Sequence, residues 1–166
     1  MLRILTQALL AVCLIGVPVG AQAANSCAWI NEATASGLLG GEVVSETSEA
    51  AAGQPAVCMF TQVTGGVKRT LRVTVEITSV AHTRLIAIAQ SCCSDAQQLK
   101  AVGNEALICE EDDREPGISE WVVGRVRDQV FTIRIKSSLK NDPLMTRGIL
   151  KSKIYTAAEQ VAGNLF

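Results

Sequence analysis

Thr70-Leu71-Arg72-Val73-Thr74-Val75-Glu76-Ile77-Thr78 is the stretch whose pattern decides the fold. Leu71, Val73, Val75 and Ile77 alternate with polar or charged residues, the period of a strand with one buried face and one polar face. Immediately before it, Gly65-Gly66 predicts a tight turn from a preceding strand over Ala56 to Val63. Further back, Ser48 to Pro55 is rich in Ala, Gly and Ser and reads as a loop, after a first strand over Glu42 to Thr47. A short helix opens the region: Asn31 is its expected N-cap, and Gly40-Gly41 ends it near Leu39, because glycine accepts the left-handed conformation on which helices stop.

Towards the C-terminus, Ser79 is placed to cap a helix reaching about Gln90, with Val80, Leu85, Ile86 and Ala89 as its apolar stripe. Ser91 to Asn104 reads as a loop, Glu105 to Cys109 as a fourth strand, and Glu110 to Gly117 as an acidic turn. Ser119 to Val126 and Gln129 to Lys136 form a predicted hairpin about Arg127-Asp128, with Phe131, Ile133 and Ile135 on its core side. Asp142 and Pro143 are the expected cap and first residue of a long helix to Leu165, where Leu150, Ile154, Ala158, Val161 and Leu165 recur at three- and four-residue spacing. The order predicts an α+β fold: a largely antiparallel sheet with a short N-terminal helix, a middle helix and a long C-terminal helix.

The first 23 residues carry a different message. One charge at Arg3 is followed by an uncharged run from Ile4 to Ala24 and a small-residue pattern, Ala21-Gln22-Ala23, as in a secretory signal peptide. Gly16, Pro18, Gly20 and Gln22 interrupt the run, leaving an apolar core of about 12 residues, the length of an h-region rather than of a membrane span. The expectation is a cleaved leader at 1–23 and one domain at 24–166, exported to a periplasmic or extracellular setting with no stable membrane insertion. Taking 23 residues from 166 leaves 143, enough for one domain with a core. Without Arg3 there are 14 basic and 16 acidic residues, a formal charge of −2, which argues against a nucleic-acid partner.

Of the six cysteines, Cys13 lies in the leader and five remain. In an oxidising compartment they tend to pair, and five residues give two bridges and one spare thiol, in any of 15 arrangements. Segment placement favours Cys27 with Cys58, and Cys93 with Cys109, leaving Cys92 as the spare thiol. The exported chain would be a monomer or a Cys-linked dimer.

Cys27-Ala28-Trp29 before a helix ending Leu38-Leu39-Gly40-Gly41, then Val57-Cys58-Met59-Phe60, Val102-Gly103-Asn104-Glu105-Ala106 and Val130-Phe131-Thr132-Ile133 before a C-terminal helix form a recognisable layout. It resembles the small exported bacterial domains of unknown function common among actinobacterial lipoproteins, which are similar to PsbP-like αβα sandwiches. The resemblance implies a binding or protein-interaction scaffold. No lipid-acceptor cysteine stands at the cleavage site, so membrane anchoring is not carried over.

Chemistry-bearing motifs are sparse. A single histidine, His82, excludes a two-histidine site, and neither a nucleophile elbow nor a phosphate-cradling glycine loop is present. A paired-carboxylate hydrolase needs two acids close only in space, and no feature favours one. The acidic run Glu110 to Glu115 lacks EF-hand ligand spacing and reads as a solvated turn. Cys92, Cys93 and Cys109 with His82 raise the alternative of a thiol-dependent redox or metal-binding protein, although adjacent cysteines do not make the two-residue-gap chelate of zinc knuckles.

Strand parity offers the other candidate. If Phe131, Ile133, Val122 and Val126 face the core, Trp121, Arg125 and Arg134 face the opposite side together with Arg72, a set of residue types enriched at binding hot spots. The competing outcome is a helix over this face, making Trp121 ordinary core. The reading is therefore a non-enzymatic module of the bacterial envelope, without a cofactor or metal, that binds a protein or a small ligand.

Overall fold

The computed structural model describes residues 26–51, 53–92, 95–110 and 116–166. The proposed leader, Cys93 and most of the acidic turn lie outside the described residues. Among the described residues, seven strands and three helices follow in the order α1 (Glu32–Leu39), β1 (Val44–Ser48), β2 (Ala56–Thr64), β3 (Val67–Ile77), α2 (Ala81–Cys92), β4 (Gln97–Leu99), β5 (Glu105–Glu110), β6 (Ile118–Val126), β7 (Gln129–Ser137) and α3 (Arg147–Leu165). The fold is α+β, with an antiparallel sheet ordered β1-β2-β3-β7-β6-β5-β4.

Two meanders build this sheet. The first, β1 to β3, turns from β2 to β3 at Gly65 and Gly66, whose φ angles of 60° and 79° suit the hairpin turn that matches strand twist. Helix α2 then carries the chain across one face to the far edge, and β4 to β7 return until β7 pairs with β3. The alternation read in the sequence sets the faces. Leu71, Val73 and Val75 stand opposite Ile135, Ile133 and Phe131 and are buried with Phe60, Val122 and Ile108. Helices α1 and α3 cover this side, α3 through Leu150, Ile154, Ala157, Ala158, Val161 and Leu165. The two helices are cross-linked: the Lys153 ammonium donates to the Leu38 carbonyl at the end of α1, and burial lowers its pKa from the usual lysine value.

Asn31 caps α1 by accepting from the Thr34 amide at 2.8 Å, and Gly40 closes it. Three local expectations shift. Helix α2 begins after Val80, which is 59% exposed, so its buried stripe is Ala81, Leu85 and Ala89 instead of one running through Val80 and Ile86. Gln97–Leu99 forms a short edge strand inside the expected loop. Helix α3 starts at Arg147, four residues after Pro143, because the Asp142 carboxylate is engaged elsewhere: it receives the Leu144 amide at 3.0 Å within a turn and holds Arg69.

A disulfide joins Cys27 to Cys58 across 31 residues of chain, tying the segment before α1 to β2. Replacing both cysteines with serine frees that loop in the unfolded chain and is expected to lower stability by about 3–4 kcal/mol. Chemical denaturation of the variant under oxidising conditions measures the loss.

Candidate functional site

Among the described residues, the sheet face opposite α1 and α3 is only partly covered. Helix α2 lays Ala81, Leu85 and Ala89 on Val123, Val130 and Leu107, a small second core confined to β5, β6 and β7. On the remaining surface, antiparallel register lines up one residue per strand. Cys109 stands opposite Trp121, Trp121 opposite Arg134, Arg134 opposite Arg72, Arg72 opposite Met59 and Met59 opposite Glu46. Arg72 is exposed, Arg134, Trp121 and Met59 are half-buried, and Cys109 is buried.

Two arginines directly across from each other repel, and such a like-charge pair is unfavourable in an antiparallel sheet. Arg134 makes a further interaction of its own, whereas Arg72 extends into solvent. Rows of hydroxyls flank the line: Thr61 faces Thr70 on one side, and Thr74 faces Thr132 on the other. Three of the four residues named from parity, Trp121, Arg134 and Arg72, therefore share one row. Arg125 does not. It lies on the same face beyond Val123, donating through Nε to Glu105 Oε1 at 2.6 Å and through Nη1 to the Arg127 carbonyl at 3.0 Å.

Glu105 also meets His82 Nδ1 at 2.8 Å. The hydrogen bond with His82 is the main cause that holds the Glu105 carboxyl below the usual glutamate range, with Arg125 adding to it and burial opposing it. This cluster fastens the start of α2 to the sheet. His82 and Cys92 lie near opposite ends of α2, roughly 15 Å apart at 1.5 Å rise per residue. Among the described residues no three His, Cys, Asp or Glu side chains could hold a metal ion together. Cys109 is buried and disulfide-bonded; its expected pairing with Cys93, and the spare thiol at Cys92, fall outside what the described side chains cover.

Trp121 belongs to neither hydrophobic core. Replacing it with alanine is expected to lower stability by about 1–2 kcal/mol, below the roughly 3–5 kcal/mol of a fully buried aromatic. Thermal melting of Trp121→Ala checks this, and a larger loss would make the ring part of the core.

Parity did not single out a buried polar network at the hairpin end of the sheet. Arg69 Nε and Nη2 donate to Asp142 Oδ2 and Oδ1 at 2.6 and 2.8 Å, Arg69 Nη1 donates to Gln62 Oε1 at 2.8 Å, and the Ser137 hydroxyl donates to Asp142 Oδ2 at 2.6 Å. Gln62 Nε2 in turn donates to the Thr64 hydroxyl. The sign was available in the sequence: Gln62, Arg69 and Ser137 continue the core-facing parity of their own strands. A cleft of about 360 Å³ lies alongside, lined by Gly117, Ile118, Lys140, Asp142, Thr146, Arg147 and their neighbours. Its charged walls are already engaged, Asp142 with Arg69 and Arg147 4.0 Å from the buried Glu120 carboxylate. The open sheet face is the better candidate. No family model matches this chain, and neither a curated protein nor a solved structure matches it.

Proposed function

We propose that this protein is an exported, non-enzymatic binding module of the bacterial envelope, and that the row Arg72, Arg134, Trp121 is its ligand-contacting surface. The observation that carries the reading is the row of exposed Arg72, Arg134 and half-buried Trp121, on a stretch of sheet that α2 does not cover among the described residues. Arg134 has an interaction of its own, so exposed Arg72 is the cation this row offers to an anionic partner. A rigid antiparallel sheet supplies the scaffold, and arginine with tryptophan supplies the residue types that dominate binding energy. The leader pattern supports export, and the Cys27–Cys58 bridge suits an oxidising compartment. The thiol-dependent alternative draws no support from Cys109, which is buried and already in a disulfide.

The test is capture from envelope extracts with the exported protein and its Arg72→Glu/Trp121→Ala variant, reading retained protein and carbohydrate. Wild type retaining material that the variant loses, with the variant still folded by circular dichroism, is the expected result. Equal retention by both would remove the face from the function.

A further inference from the structure

We propose that the open face of β1, β2 and β3 pairs with the same face of a second copy of this chain, forming a two-fold symmetric dimer. The inference goes beyond the binding reading above and shares only Arg72 with it. Its basis is the order of charge across three strands. Glu46 on β1 stands opposite Met59 on β2, and Met59 stands opposite Arg72 on β3. At one end of the same face Val63 stands opposite Lys68. The chain entering β1 still runs beside β2, because Val43 packs on the core and a Cβ at Gly41 would lie 3.0 Å from Gln62 Nε2. Glu42, the exposed residue between them, therefore falls in line with Val63. Acid borders this face on the β1 side and base on the β3 side, with Met59 and Val63 between. Glu42, Glu46, Lys68 and Arg72 are all exposed, and among the described residues none of the four makes an ion pair.

A two-fold axis along β2 sets β1 of each copy over β3 of the other, since the rotation exchanges the two borders and leaves the middle strand facing itself. Glu46 then meets Arg72 and Glu42 meets Lys68, each contact made twice, while Met59 and Val63 pack on their counterparts. Aligned sheets stack about 10 Å apart, a gap that opposed long side chains span. A two-fold running across the strands would instead set Glu46 on Glu46 and Arg72 on Arg72, so the charge order also selects the orientation. The other charges of this face are held already. Glu76 is paired with Arg84 at 2.9 Å, and Glu49, Arg134 and Lys136 each make an interaction of their own. Arg134 and Lys136 stand on β7, which the rotation leaves beyond the β1 edge of the second copy, and α2 lies over β5 to β7, clear of the opposing sheet. Three strands, the middle one nine residues long, cover roughly 14 Å by 30 Å. That is below a standard interface, so the dimer is weak and concentration-dependent. Arg72 is buried in the dimer and open to a ligand in the monomer.

Sedimentation equilibrium of the exported protein over a range of concentrations tests this. Wild type should self-associate, and Glu46→Arg and Arg72→Glu should each weaken association by at least about tenfold, since each sets like charges together at both contacts. Mixed one to one, the two variants should associate as tightly as wild type, because each then meets the opposite charge twice. Both positions are exposed, so an unchanged melting temperature shows that the variants fold. Wild type that stays monomeric, single variants that associate like wild type, a mixture that stays apart, or a dimer that non-reducing electrophoresis shows to be disulfide-linked overturns the proposal. Trp121→Ala lies outside the footprint and separates the two readings. If it abolishes extract capture while wild type is monomeric, the binding reading stands and the dimer falls. Charge-dependent association with capture indifferent to Trp121 keeps the dimer and removes the ligand row.

Discussion

Replacing Asp142 with alanine is expected to destabilise the protein by about 3–5 kcal/mol, because one half of a buried ion pair remains without the other. Arg69 is 4% exposed and Asp142 1%. Without the carboxylate, the Arg69 guanidinium keeps only Gln62, and the Ser137 hydroxyl loses its acceptor. Asp142→Asn should cost less, since an amide oxygen still accepts, while Arg69→Met with Asp142→Leu should recover much of the loss by removing both charges. Urea denaturation of the three variants separates these cases.

The same network gives the protein a pH dependence of known sign. The hydrogen bond from Arg69 is the chief cause that lowers the Asp142 carboxyl from the usual 3.8 to about 2; Ser137 and the Leu144 amide add to it, and burial works against it. The folded state binds this proton less readily than the unfolded chain. Its contribution is therefore fully present above about pH 4 and is lost as the pH falls towards 2. Acid titration of wild type should show this loss, and Asp142→Asn should lack that part of it.

Gly124→Val is the second large effect, with an expected loss of about 3 kcal/mol from overpacking. Gly124 pairs directly with Phe131 across β6 and β7, and the phenyl ring lies over the glycine. A Cβ at that position would come within 2.3 Å of Phe131 Cζ and 2.7 Å of Cε1, far inside contact distance. Phe131 is 0% exposed, held in the core between the sheet and the helices, so the ring has no free space to move into. Gly124→Ala should lose a substantial share of the same energy. Combining Gly124→Ala with Phe131→Leu should cost less than the sum of the two single changes, because the smaller side chain removes the clash that the new methyl creates. A double-mutant cycle in denaturant measures that coupling.

Much of the architecture can be read locally. The alternation over Leu71, Val73 and Val75, the hairpin at Arg127-Asp128 and the spacing of Leu150, Ile154, Ala158, Val161 and Leu165 each report a period and a buried face, and the structure realises them; Ile77, expected on the same buried face, is 73% exposed at the end of β3. Cys27 and Cys58 meet because a short helix returns the chain to β2. The candidate row was half legible: parity put Trp121, Arg134 and Arg72 on one face, but nothing local says that β7 lies beside β3 and therefore that Arg134 opposes Arg72. The removal of Arg125 to Glu105 is likewise a matter of register between β5 and β6.

Asp142 shows the limit most directly. Followed by proline, it has every local mark of a helix cap, yet its carboxylate meets Arg69 from a strand 73 residues away in sequence, and α3 begins at Arg147 instead. Side-chain periodicity is written in neighbouring residues, so the α+β class, the strand parities and the apolar helix faces follow from the sequence alone. Strand order, the extent of α2's cover over one face and the partners of buried charges arise from contacts between distant segments. Those depend on which apolar faces can be buried together, and the tertiary structure alone decides them.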